Sequence, residues 1–338
     1  MLNKDGLIIP EKYNGKYSVR ETEKAIKFIK DMFERNFADE LNLERVSAPL
    51  FVTTSSGLND NLNGIERAVQ FDALDIEGDL QIVHSLAKWK RYALKMYGFE
   101  KDCGLYTDMN AIRRDETLDN LHSIYVDQWD WEKVITKEER TPEFLISTVK
   151  KIYEALKETE LGLCFKYGEL DNKLPKEIKF ITSEELLQRY PDKTAKEREQ
   201  LITKKYGAVF ISKIGGKLSD GTKHDNRAPD YDDWELNGDI LIWYDLLDCA
   251  VEISSMGIRV DEESMKKQLE IAGCMDRTKL EYHKALLNRE LPYTIGGGIG
   301  QSRLCMLLLG KAHIGEVQSS IWPSDMRKIC AEKGINLL

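Results

Sequence analysis

Apolar residues recur at Ala25, Ile26, Ile29, Met32, Phe33 and Phe37, a spacing of three and four that predicts an amphipathic helix of about four turns or more. Ser18-Val19-Arg20-Glu21 just ahead of it is a capping box, in which hydroxyl and carboxylate cover each other's orphan amides. Residues 43–52 read as an extended segment broken by Pro49; proline donates nothing to a ladder, so the segment belongs at an edge or an interface. Residues 80–83 predict a short strand, 86–97 a helix, and 123–131 a strand with Ile124, Val126 and Trp129 among polar neighbours. A helix is expected over 142–160, then a charged helical stretch over 170–207 holding two more capping boxes, Thr182 with Glu185 and Thr194 with Glu197. Strands follow at 208–214, 239–244 and 250–255, helices near 262–272 and 276–288, a glycine run at 296–300, and a last helix from about Ser302. Strands in a late, antiparallel-looking run with helices interposed irregularly predict an α+β fold. The regular alternation of a doubly wound sheet is missing.

Composition narrows the class without naming it. The 338 residues are 42% apolar and 32% charged, an ordinary globular mix with enough apolar mass for a sizeable core. No run approaches the roughly 18 consecutive apolar residues of a membrane helix, and the N-terminal residues lack the pattern of a signal peptide. There is no repeat and no linker rich in Pro, Gly or Ser, so one domain over residues 1–338 is expected. The six cysteines show neither C-x-x-C pairs nor zinc-ligand spacing and read as reduced thiols of a cytoplasmic protein. A net charge of −9 weakens any nucleic-acid reading and makes the placement of each cation informative.

Six segments can carry chemistry. Gly296-Gly297-Gly298-Ile299-Gly300-Gln301-Ser302-Arg303 lets backbone pass close to a ligand, with Arg303 in the first turn of the next helix, where a guanidinium can stack on an adenine or pair with a phosphate. It is neither a Walker loop nor a dinucleotide fingerprint; alone it could be a glycine-rich connection. Ile112-Arg113-Arg114-Asp115-Glu116 offers bidentate phosphate contact or a solvated loop. Ile82–Arg91 runs a strand into a helix whose first turns carry Ser85, Lys88, Lys90 and Arg91; His84 there is more often structural than catalytic. In Val126–Glu132, Gln128 and Asp130 point one way and Asp127 and Trp129 the other, which suits recognition of an amino acid or a wet edge strand. Arg227-Ala228-Pro229-Asp230-Tyr231-Asp232-Asp233-Trp234 clusters acids beside a tyrosine. In Val251–Arg259, alternation puts Glu252 and Ser254 on one face, and a glutamate in an apolar strand needs a metal, a ligand or an arginine.

The order of these segments resembles motifs 1, 2 and 3 of class II aminoacyl-tRNA synthetases: Pro49 in an extended segment, then Arg113 and Glu116, then the glycines ending in Arg303. The strings Asp60-Asn61-Leu62, VHSLAKWKR (83–91), VDQWDWE (126–132), GGKLSDG (215–221), RAPDYDDW (227–234), LNGDI (236–240), SSMGIRVD (254–261) and TIGGGIGQSRL (294–304) are similar to the aspartate–ammonia ligase family over essentially the whole chain. That resemblance implies a synthetase-like catalytic domain, an antiparallel sheet flanked by helices. It implies an AMP-forming reaction of aspartate, ATP and ammonia with Mg²⁺, and a homodimer around Pro49. It places Arg113 at the α-phosphate and the reacting carboxylate, Arg303 on adenine, and Glu116, Leu121, Gly296, Gly297 and Gly298 in the ATP site. Glu252 and Asp239 would hold Mg²⁺. Lys90, Ser85, Gln128, Asp130, Tyr231, Ser254 and Ser255 would hold the amino acid, and Asp60 or Asp232 would orient ammonium or take its proton. A tRNA ligase lacking its anticodon module, disfavoured by the acidic charge, and an inactive ligand-binding paralogue, disfavoured by the retention of Arg113 and Arg303, are the competing expectations.

Overall fold

A computed structural model describes residues 2–4, 6–60, 62, 66–168 and 170–338. In chain order the elements are β1 (Leu2–Lys4), β2 (Leu7–Ile9), α1 (Val19–Leu41), β3 (Leu43–Arg45), β4 (Phe51–Thr53), β5 (Gln70–Ala73), β6 (Ile76–Ile82), α2 (Ala87–Tyr97), β7 (Gly104–Ile112) and β8 (Tyr125–Val134). Then come α3 (Pro142–Lys166), β9 (Lys179–Thr182), α4 (Ser183–Arg189), α5 (Ala195–Tyr206), β10 (Ala208–Ser212), β11 (Asp232–Tyr244), β12 (Cys249–Arg259), α6 (Glu262–Ile271), α7 (Glu281–Leu287), β13 (Thr294–Gly300), α8 (Gln301–Leu309) and α9 (Ser324–Glu332). The main sheet has the order β3-β7-β8-β13-β12-β11-β10-β9, antiparallel except at β3–β7 and β9–β10. This is the α+β, mostly antiparallel sheet that the sequence predicts.

The period-two rule sorts the sheet into two faces. Trp129 and Trp131 of β8 are fully buried and pack in one core with α1, α3 and α8, Trp129 meeting Phe33 at 4.6 Å between ring centroids. Burying an aromatic side chain of this size stabilises by about 2 kcal/mol. The opposite face is covered by α2 near β7 and β8 and by α5 against β11 and β12. Between those two patches the sheet presents Gln128 and Asp130 to a cavity.

Several expectations meet corrections. The charged stretch 170–207 is not wholly helical: β9 enters it as an edge strand, its Phe180 and Ile181 turned to opposite faces. A helix beyond the predicted last one, α9, closes the chain. The glycine run is not a loop but β13, in the middle of the sheet between β8 and β12. Glycine has poor strand propensity; it is there because a Cβ has no room. One at Gly297 would stand 2.6 Å from the Met256 Cβ, and one at Gly298 2.5 Å from the Gln128 amide oxygen.

The predicted alternation in β12 is also broken. Ile240 pairs with Ser254 and Leu241 with Glu252, so Ile253 is an extra residue, a β-bulge. Val251 and Ile253 face the α1 side before the bulge, and Met256 and Ile258 after it. Ser254, opposite the core residues Ile240 and Ile299, therefore turns away from the face that Glu252 occupies. The same bulge brings Glu252 and Ser255, three residues apart, to one side, together with Asp239, which is cross-strand to Ser255.

Candidate active site

A cavity of about 440 Å³ opens on the sheet face opposite α1. Arg113 enters it from the turn after β7, Gln128 and Asp130 from β8, Lys90 from α2, Glu252 and Ser255 from β12, and Arg303 from the first turn of α8. Ser85, Asp60, Tyr231, Asp232, Glu116, Leu121, Gly297 and Gly298 also line it. Gly296, Asp239 and Ser254 do not. Asn61 of the quoted strings lies outside the described residues.

At the α2 end, the buried Lys90 ammonium lies 3.1 Å from the Asp130 carboxylate and donates to the Gly297 carbonyl at 2.8 Å. Burial lowers the proton affinity of Lys90, and Asp130 opposes that. Breaking such a pair from one side costs about 3–5 kcal/mol, so Lys90 serves the sheet whatever it does for a ligand. Gly298 clears the space in which Gln128 and Asp130 project.

A second cluster lies beside it. Arg259 donates to Glu132 at 2.7 Å and also to Asp232, while Thr294 donates to Glu132 at 2.6 Å. All four are buried. Gly296 belongs to this cluster rather than to a nucleotide floor: a Cβ there would stand 2.0 Å from a Glu132 oxygen and 2.7 Å from an Arg259 nitrogen. Asp232 is therefore engaged by Arg259 before any ligand is considered.

Asp60 differs. Its carboxylate accepts from the Tyr231 hydroxyl at 3.1 Å and from the Leu62 amide at 2.9 Å, and burial raises its pKa above the ordinary aspartate range, with Lys88 opposing and Asp230 adding to the rise. Behind it, Asp230 gathers Lys88 at 3.5 Å, Arg277 at 3.0 Å and His283 at 3.0 Å, which hold its carboxyl well below the usual range despite burial.

The cavity lining also carries arginines. Arg303 donates to the Leu121 carbonyl at 3.4 Å and the Glu252 carbonyl at 3.0 Å, which fixes the plane of its guanidinium. Arg113 and Arg227 line the cavity, and the Nε of each is buried with no hydrogen-bond partner among the described residues. A buried unpaired donor is costly, and an anionic ligand is the group that would satisfy it. Arg227 is paired through its Nη2 with Asp239. Arg227 and Arg259, both within the quoted strings but given no role there, line the cavity together with His122 and Tyr125, which lie outside those strings. Their signal was available: Arg227 and Arg259 are cations placed among acids in a chain short of positive charge.

Asp239 and Glu252 can be tested as a metal pair. Asp239 has its pKa raised to about 7, by burial first, with Arg227 opposing and the like charge of Glu252 adding to it. Two carboxylates on one face carrying more negative charge than Arg227 neutralises fit a hard dication. No three His, Cys, Asp or Glu side chains gather as a cage among the described residues. The pair suits Mg²⁺, which takes one or two carboxylates and completes its shell from phosphate and water.

The chain is similar to known proteins in sequence and in fold. The aspartate–ammonia ligase family model matches residues 20–334. A relative from Clostridium perfringens named aspartate–ammonia ligase is 63% identical over 333 residues, covering 98% of this chain and 99% of its own length. One of the same name from Ligilactobacillus salivarius is 59% identical over 334 residues, covering 98% of this chain and 99% of its own. Among solved structures, asparaginyl-tRNA synthetase from Pyrococcus horikoshii, in complex with asparaginyl-adenylate, superposes with a TM-score of 0.64 at 14% identity over 90% of this chain and 70% of its own. The asparaginyl-tRNA synthetase of Entamoeba histolytica gives 0.63 at 12% identity, over 89% of this chain and 66% of its own. At those identities the likeness is one of fold: the class II synthetase catalytic domain.

Proposed function

The chain belongs to the aspartate–ammonia ligase family, and from that premise we propose how its cavity makes asparagine from aspartate, ammonia and ATP. The side-chain carboxylate of aspartate attacks the α-phosphorus of ATP, giving β-aspartyl-adenylate and pyrophosphate. Ammonia then attacks the acyl carbon and AMP leaves. Such steps need alignment and charge neutralisation more than a protein nucleophile. The observation that carries this reading is the pair of cavity arginines with buried unpaired Nε atoms. Arg113 meets the α-phosphate and reacting carboxylate, Arg303 lies on the adenine, and Gly297 and Gly298 let backbone approach, with Glu116 and Leu121 beside them. Lys90, Gln128, Asp130, Tyr231, Ser85 and Ser255 surround the amino acid. Mg²⁺, held at Glu252 and Asp239, would neutralise phosphate charge.

Ammonium must lose a proton to become a nucleophile, and a nearby carboxylate is the simplest base. Asp60 fits better than Asp232, because its proton affinity is raised while Asp232 is tied to Arg259. We assign the base to Asp60. We also take residues 1–338 as one catalytic domain working in the cytoplasm. No helix among the described residues is long and apolar enough to cross a membrane, and the six cysteines are unpaired. Leu50 and Phe51, beside Pro49, are 47% and 44% exposed, which supports a homodimer through that segment.

The test is to supply aspartate, ATP, Mg²⁺ and ammonium and follow asparagine and AMP. Equal amounts of both, with glutamine failing to replace ammonium, is the expected result; AMP without asparagine would refute it. Asp60→Asn is expected to keep aspartate-dependent ATP–pyrophosphate exchange while asparagine formation falls about a hundredfold or more. Loss of both together would remove Asp60 from the ammonia step.

A further inference from the structure

Residues 213–231 connect β10 to β11 with little backbone support. Among the described residues, the loop's backbone-to-backbone hydrogen bonds are Lys213 to the Asn237 carbonyl on entry, the Leu218–Thr222 turn with Gly221, and the Tyr231 carbonyl to Val260 on exit; side chains hold its two ends, Asn237 at Ile214, Trp234 at the Ala228 carbonyl and Gln268 at the Pro229 carbonyl. A bridge between Lys217 and Lys223 closes the turn on itself. Yet Asp225, Asn226, Arg227 and Ala228 of this loop line the cavity, so something must hold it there.

Two carboxylates do so, one from each helix of the α4–α5 hairpin. Glu184 of α4 accepts the Ser219 amide at 3.0 Å and the Ser219 hydroxyl at 2.5 Å. Glu199 of α5 meets the buried His224 ring nitrogen at 3.1 Å, and its other oxygen takes Lys196 at 2.9 Å. Helix α5 is itself fixed to the sheet, where Gln200 accepts from the Ala250 amide at 2.8 Å. No residue of α4 or α5 lines the large cavity. His224, however, is three residues from Arg227, whose guanidinium is aimed by Asp239 and keeps a buried, unpaired Nε. The hairpin thus reaches Arg227 through the loop it grips, while Lys196 and Gln200 of α5 line a smaller neighbouring cavity shared with Glu252 and Arg303.

We propose that the α4–α5 hairpin is a dock for this loop, and that Glu199 and His224 are positioning residues that place Arg227 against an anionic group of the bound substrates. The inference rests on the ligase reading above. Glu184 and Ser219 fix the tip of the loop, and Glu199 and His224 fix the limb that carries Arg227. With the second contact cut, Arg227 keeps its anchor on the Ala228–Asp230 side but loses the one on the His224 side that sets its register.

Steady-state kinetics of the full chain test this. Arg227→Lys keeps the charge, loses the fork geometry and identifies which KM, that of aspartate or of ATP, Arg227 governs. Glu199→Gln and His224→Leu are each expected to raise that same KM about tenfold, with a smaller change in kcat. In the Arg227→Lys background the same changes should add less than about twofold, because positioning has nothing left to place. Glu199→Asp should recover part of the loss. Full multiplicative losses in that background, a fall in thermal midpoint with KM unmoved, or no KM change in Arg227→Lys would each overturn the proposal. A wild-type protein that makes no asparagine would instead strike the ligase reading.

Discussion

The Glu132–Arg259–Asp232 cluster and the Arg113–Arg227 group border one cavity and differ in what they leave unpaired. In the first, each guanidinium edge meets a carboxylate, Thr294 adds a hydroxyl, and Gly296 leaves no spare volume. In the second, two buried Nε donors have no hydrogen-bond partner among the described residues. Both are arginine-and-acid clusters in sequence. The difference teaches that a saturated cluster holds the sheet together, whereas an unsaturated one is a place for a ligand's charge. A substitution should therefore cost stability in the first and activity in the second.

The largest expected effect is at Arg113. Arg113→Ala should lower asparagine formation by about a thousandfold or more, roughly 4 kcal/mol of transition-state stabilisation. Its thermal midpoint should stay near that of the wild type. A large drop in midpoint would erase the distinction between the two clusters. Next comes Gly296→Ala, whose new methyl group collides with Glu132 and Arg259. It should lose about 3 kcal/mol of unfolding free energy by denaturant titration. A variant as stable as wild type, but unable to bind ATP, would return Gly296 to the nucleotide site.

The third effect concerns pH. The pKa of Asp239 is raised to about 7 in the folded chain, so Mg²⁺ at the proposed Glu252–Asp239 pair would have to displace a proton below that point. The half-saturating Mg²⁺ concentration should rise by up to about tenfold per pH unit below 7. A pH-independent Mg²⁺ requirement would remove Asp239 from the metal pair. Without Mg²⁺ the sign for stability is the reverse. The folded pKa lies above the ordinary aspartate value, so the contribution of this carboxyl is present at acid pH and is lost as pH rises through about 7. Asp239→Asn should flatten that slope in melts followed across pH.

Much of this is legible in the sequence. All three capping boxes form, because their chemistry is local and complete within four residues. Gln128 and Asp130 share a face because the β8 ladder runs without a shift. Ser254 was misread because a bulge is a property of two strands, decided by how β11 pairs, and one strand's pattern does not contain it. Gly296 was misread because what excludes its Cβ is a pair of residues, Glu132 and Arg259, distant in sequence. Arg227 gives a charge signal in the sequence, a cation close to Asp230, Asp232 and Asp233, but its unpaired Nε is a tertiary fact. The edge strand β9 was hidden in charged sequence for a related reason: only β10 beside it makes those residues a strand.

The strand order has a consequence for synthesis. Strand β13, made of residues 294–300, sits between β8, residues 125–134, and β12, residues 249–259. Until it emerges from the ribosome, the growing chain holds two half-sheets, each with an unpaired interior edge. Such edges invite pairing with other chains, and contacts this distant in sequence close slowly. Arg113 follows β7 on one side of that gap and Arg303 follows β13 itself, so the last long strand to be translated both seals the sticky edges and brings the two arginines to one cavity. A chain truncated before residue 294 should therefore be an aggregation hazard to its neighbours rather than a sluggish enzyme.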